Sequence, residues 1–143
     1  MKRAPLWLIG LVVMVAVAAC GVAPPLRSAY TAAGDGTRPQ DLARTDVFRP
    51  DDDLNVVVEL NPHSRTLGVS AIFIAPTGEQ YATDTLEAGD TVGEVVLGLD
   101  WEAQGTVTWP PGDWQVDIYI DDTLEKTLHF TVEETLLPEG SAN

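Results

Sequence analysis

The chain has 143 residues, a single cysteine, and 22 acidic against 8 basic residues, for a formal net charge of −14. That acidity excludes nucleic-acid binding, because no basic patch exists to release counterions from a phosphate backbone. It also disfavours docking of a domain face on anionic lipid, and one thiol excludes a disulfide or a cysteine-based zinc site.

The opening segment has the three-part layout of a secretory signal. Lys2 and Arg3 supply positive charge, an uncharged run extends from Leu6 to Ala19, and the small residues Ala16, Ala18 and Ala19 close it. The run is shorter than the roughly 20 residues a spanning helix needs. It has no polar face, so it does not read as a core helix either. Directly behind it stands the lone cysteine. Val17-Ala18-Ala19-Cys20 resembles the lipobox of bacterial lipoproteins. The resemblance implies that the Cys20 thiol carries a diacylglycerol, that residues 1–19 are cut off just before it, and that the freed amine is often acylated too. Acyl chains contribute about 0.8 kcal/mol per buried methylene, so two or three make a durable membrane anchor. The protein is then expected at the cell membrane or outer membrane, its domain on the extracytoplasmic side.

Residues 20–44 are expected to be the lipidated cysteine and a flexible tether. "GVAPPLRSAYTAAGDGTRPQ" mixes Pro, Gly, Ala, Ser and Thr without a sustained period. As a random coil it would reach about 25 to 30 Å and hold a domain clear of the headgroups.

From residue 45 the pattern becomes period 2. "LNVVVEL" aligns Leu54, Val56, Val58 and Leu60, and "NPHSRT" is a turn. "GVSAIFIAP" reads as a strand, "PTGE" as a turn, and "QYATDTL" as a polar strand at a sheet edge. "EVVLGLD" aligns Val95, Leu97 and Leu99, and "DWQVDIYI" aligns Trp114, Val116, Ile118 and Ile120. A turn at Asp121-Asp122-Thr123 leads to "LEKTLHFTV". Six or seven short strands with regular turns predict an all-β, antiparallel sandwich over residues 45–133, with a small barrel as the alternative. The expected core is Val56, Val58, Phe73, Leu97, Trp114, Val116, Ile118 and Phe130. Residues 134–143 read as a disordered tail.

"TWPPGDWQVDIYIDDTLEKTLHFTV" is similar to the last hairpin of immunoglobulin-like and fibronectin-like bacterial modules, and "FRPDDDLNVVVEL" to their opening. The likeness spans about residues 46 to 132 and implies an immunoglobulin-like fold without the paired cysteines of true immunoglobulin domains. The Asp-Asp turn also lacks the glycine usual in tight hairpins.

No catalytic constellation appears. Ser64 and Ser70 lack a nucleophile elbow, and His63 and His129 form neither a zinc triad nor a Ser-His pair. No metal or cofactor site is expected. Three adjacent aspartates, Asp51 to Asp53, point alternate ways along an extended chain and cannot all face one calcium ion. The chain therefore reads as a non-enzymatic module, anchored in the membrane through the lipid on Cys20. It is expected to bind an electropositive protein, peptide or glycan partner at the envelope. The alternative is an accessory lipoprotein or acidic spacer with no ligand of its own. Trp109 and Trp114 suit a plug at one end of the sandwich. The contact candidates are Trp101 and Tyr119 beside Asp100 and Asp117, since aromatics with carboxylates suit cationic or sugar ligands.

Overall fold

The computed structural model of the chain describes residues 23–105 and 108–134. The expected signal segment, Cys20 and residues 135–143 lie outside them. In chain order the strands are β1 (Leu26–Ala33), β2 (Ala43–Arg44), β3 (Val47–Phe48), β4 (Leu54–Leu60), β5 (Leu67–Ile74), β6 (Gln80–Ala82), β7 (Leu86–Ala88), β8 (Glu94–Leu99), β9 (Gly112–Ile120) and β10 (Thr123–Val132). One sheet has the order β2-β1-β4-β8 and is antiparallel throughout. The other has the order β3-β10-β9-β5-β6, with β7 pairing β5 on the same edge as β6. The two sheets enclose one core, so the all-β, sandwich-like expectation holds. Ten strands replace the expected six or seven. The second sheet is mixed, because β3 runs parallel to β10 through Val47↔Thr131 and Phe48↔Val132.

The residues expected inside are inside. Val56, Val58, Phe73, Leu97, Trp114, Val116, Ile118 and Phe130 are all buried. An aromatic chain runs through one end of the core: Trp109 meets Trp114 edge-on at 5.7 Å, Trp114 stacks on Phe130 at 5.8 Å, and Phe130 meets Phe48 at 5.0 Å. Both indoles are fully buried, and both have their N–H satisfied, Trp109 by the Asp52 carbonyl and Trp114 by the Pro110 carbonyl. A buried indole without such a partner would carry a desolvation cost of about 1–3 kcal/mol.

The expected tether is corrected by the fold. Residues 26–33 form β1, which pairs with β4 from Leu26↔Leu60 to Ala33↔Leu54. β1 carries Ala, Ser and Thr on both faces, so it has no apolar stripe of its own. It is ordered by its neighbours: Tyr30 lies opposite Val57, itself fully buried, and the Thr31 hydroxyl donates to the Thr45 carbonyl at 2.5 Å. Arg44 stacks over Tyr30 at 4.6 Å. The start of the strand is pinned too, because Asn61 donates through its backbone to Pro25 and through its amide to Pro24.

The expected edge strand "QYATDTL" lies at an edge but is broken into β6 and β7. Thr83 leaves the ladder and accepts the Ala71 N–H on its hydroxyl, at 3.0 Å. The β9–β10 turn is built without glycine. Asp121 and Asp122 both have positive φ, 49° and 64°. The Asp121 carboxylate accepts from the Gly68 N–H and from Arg65, which offsets the cost of the left-handed backbone. Those two bonds, the Gly68 one first, hold the Asp121 carboxyl below its ordinary pKa.

Candidate functional site

The register defines two ends of the molecule. Leu26, Leu60 and Gly93 lie at one; Ala33, Leu54 and Leu99 lie at the other. His63 closes the first end. Its two ring nitrogens face the carbonyls of Asn61 and Gly89 at 2.9 and 2.8 Å, an arrangement that favours the protonated ring. Its pKa is raised, chiefly by the Asn61 carbonyl. The acids concentrate at the second end.

A groove of about 610 Å³ runs along the outer side of β8, from Val92 and Glu94 near the first end to Asp35, Asp53 and Asp100 at the second. Its apolar floor comes from Leu86, Val92, Val96 and Leu99. Leu86 stands 43 % exposed, one of three large apolar side chains so placed. Every charged residue lining the groove is acidic: Asp35, Asp53, Glu87, Glu94 and Asp100. Asp53 feels this most. Its pKa is raised by burial, then by the charges of Asp100, Asp35, Glu102 and Asp52. Among the described residues no three acids or histidines converge closely enough to hold a metal ion.

One polar side chain anchors the groove. Asn55 is 5 % exposed and lies opposite Gly98 in the β4–β8 register. Its amide donates to the carbonyls of Gly34 at 2.7 Å and Asp53 at 3.4 Å. Two acceptors on the nitrogen side fix which way the amide points. Its oxygen lies over Gly98, only 2.3 Å from where a side-chain β-carbon would stand. Glycine is required there by this close approach.

No protein family and no curated protein matches the chain. A Pseudomonas fluorescens alkylpurine DNA glycosylase bound to DNA with an abasic-site analogue aligns at TM-score 0.45 and 13% identity, over 62% of this chain and 28% of the glycosylase chain. A Bacillus anthracis chain described as a lipoprotein aligns at TM-score 0.37 and 14% identity, over 73% of each chain. This chain spans less than a third of the glycosylase, and at these scores neither likeness carries a function across.

The four contact residues read from the sequence are divided between the two sheets. Asp100 is exposed and lines the groove at the end of β8, and Trp101 beside it is half-buried against the core. Asp117 and Tyr119 lie on the outer face of β9, in the other sheet. The Asp117 carboxylate accepts from Gln115 and Thr127, at 2.9 and 2.7 Å. The structure thus does not bring Trp101 and Asp100 together with Tyr119 and Asp117. The sequence reading missed Asn55, Val96 and Leu86. One signal pointed there: a glycine inside the apolar run "EVVLGL" marks a close approach to the strand.

Taken together, the groove can attract positive charge and bury apolar side chains at once. Acids beside a low-dielectric floor focus the field, so a cation is drawn in more strongly than by the same charges on a flat surface.

Proposed function

We propose that this is a lipid-anchored, immunoglobulin-like recognition module, held at the extracytoplasmic face of the envelope through Cys20. It binds an electropositive polypeptide partner in the β8 groove and catalyses nothing. The observation that carries the reading is the groove lining, apolar beneath and acidic at every charged position. The lipobox-like Val17-Ala18-Ala19-Cys20 supports the anchor. The fold supports recognition by supplying a rigid frame for the groove rather than a deep cleft with paired catalytic groups.

The test uses the full chain in detergent micelles and octalysine as probe. Octalysine should bind, and binding should weaken as salt rises from about 50 to 300 mM, because the Debye length shrinks toward the spacing of the charges. An Asp53→Asn, Asp100→Asn double variant should bind at least fivefold more weakly. Affinity indifferent to both salt and the two substitutions would overturn the groove as the binding site.

A further inference from the structure

The four edges of the two sheets are treated unequally. β2 and β3 are two residues long and pair only with Ala32 and Ala33 of β1 and with Thr131 and Val132 of β10. They leave residues 26–30 and 123–130 with no strand beyond them among the described residues. What sets the remaining edge, β8, apart is the acidic groove beside it. The β6–β7 edge is two three-residue pieces broken at Thr83. Short and broken edges are how sheet proteins avoid pairing with other chains. β8 is six residues long, unbroken, and unpaired on its outer side among the described residues.

Its backbone groups can be assigned. The Leu60 N–H donates to the Gly93 carbonyl at 2.8 Å, in register with the β4–β8 ladder. Hydrogen-bonded pairs alternate in an antiparallel ladder, so Val95, Leu97 and Leu99 turn their N–H and C=O toward β4. Glu94, Val96 and Gly98 turn theirs outward, along the groove. The Asn55 side-chain oxygen lies over Gly98 at the same lip, held there by the amide's bonds to Gly34 and Asp53.

We infer that β8 is a strand-addition site, which takes an extended basic segment of a partner polypeptide as a further strand of the first sheet. This rests on the groove reading above and deepens it. Main-chain bonds to Glu94, Val96 and Gly98 supply the attachment, and side chains alternate between the groove and solvent. Basic side chains at alternate positions reach Asp53, Asp100 and Glu94 and lay their methylene stems over Val96, while the apolar residues between them face away from the groove. The same charges select the occupant. A second copy of this acidic chain would set carboxylates against carboxylates along the edge, whereas a basic strand pairs them.

The probe is a blocked, fluorescein-labelled dodecapeptide of alternating Lys and Val, with two counterparts: alternating Glu and Val, and Lys-Val N-methylated at every second amide. The full chain in micelles should bind the Lys-Val peptide, at least tenfold more tightly than either counterpart. Val96→Pro removes one outward N–H and no bond to β4, and proline is tolerated at such edge positions. It should keep the thermal transition and lose binding at least tenfold, while Val96→Thr, which trims the groove floor but keeps the N–H, should lose less than threefold. Binding that depends on salt and on Asp53 and Asp100 but ignores N-methylation and Val96→Pro would overturn strand addition and leave the groove reading standing. No binding of Lys-Val peptide or octalysine would overturn both. A dimer of the unliganded chain that Val96→Pro dissociates would assign the edge to a second copy and overturn the proposal.

Discussion

Asp53 sits where the groove's purpose and the fold's stability oppose each other. Burial and four nearby negative charges, those of Asp100, Asp35, Glu102 and Asp52, raise its pKa above the ordinary value of 3.8. The folded protein therefore holds that proton more tightly than the unfolded chain does. Stability falls as pH rises from 3.8 through the raised value, and the full penalty is present at neutral pH. Asp53→Asn keeps the size and removes the charge. It should raise the thermal midpoint at pH 7, by less than about 1 kcal/mol of stability because the site is part-exposed and screened. The gain should shrink as pH falls and vanish below about pH 3.8, where the parent's carboxyl is protonated in both states. Thermal melts of both proteins from pH 3 to 8 check this, and an Asn variant less stable than its parent at pH 7 would contradict it. A site that destabilises its own fold in this way is stabilised when a cation arrives, so ligand binding should narrow the same pH difference.

At the scale of the element, β1 decides what counts as the domain. It lies between β2 and β4 and covers Val57 on the outer face. Its loop also holds Gly34, whose carbonyl anchors Asn55. A fragment of residues 46–134 would unpair one side of β4 and expose Val57. It should lose more than about 3 kcal/mol relative to a fragment of residues 23–134, from apolar exposure and lost ladder bonds. Denaturant titration followed by tryptophan fluorescence measures the difference, and equal midpoints would show β1 to be dispensable. The same strand shows where a sequence is legible. β4, β5, β8, β9 and β10 each carry large apolar residues on one face, so period 2 is visible in "LNVVVEL" or "DWQVDIYI". In "LRSAYTAA" small residues occupy both faces, and burial is imposed by neighbours instead of announced by the side chains. Two-residue strands such as β2 and β3 are too short to show any period. The groove was illegible for another reason: Asp35, Asp53, Glu87 and Asp100 are scattered along the chain, and only the sheet order brings them to one edge. The aromatics misdirected the sequence reading toward Trp101 and Tyr119, which are adjacent to acids in sequence but lie apart, Trp101 in the turn after β8 and Tyr119 on β9 of the other sheet.

For the whole molecule, the position of β1 changes how the domain stands on a membrane. Asn61 fixes the carbonyls of Pro24 and Pro25, so the first anchored residue stands four positions after Cys20. Residues 21–23 span at most about 10–11 Å, at roughly 3.3–3.6 Å each. If Cys20 carries the lipid, the end holding Asn61, His63 and the Asp121-Asp122 turn lies close against the headgroups. The groove runs from Val92 and Glu94 beside this end to Asp35, Asp53 and Asp100 at the other end of β1, about 23 Å farther out at roughly 3.3 Å per residue. We predict that a fluorophore on Ser64→Cys is quenched by headgroup-attached quenchers in vesicles carrying the lipidated protein, and that one on Thr37→Cys, at the groove, is not. The lipid consumes the Cys20 thiol, so each introduced cysteine is labelled alone. Inserting 20 Gly/Ser residues after Gly21 adds a coil of about 25 Å and should bring the two signals together. Equal quenching without the insertion, or stronger quenching at residue 37, would refute the orientation. If the anchor holds, the part of the groove lined by Asp35, Asp53 and Asp100 faces away from the headgroups, and the insertion should abolish that orientation without altering affinity in solution.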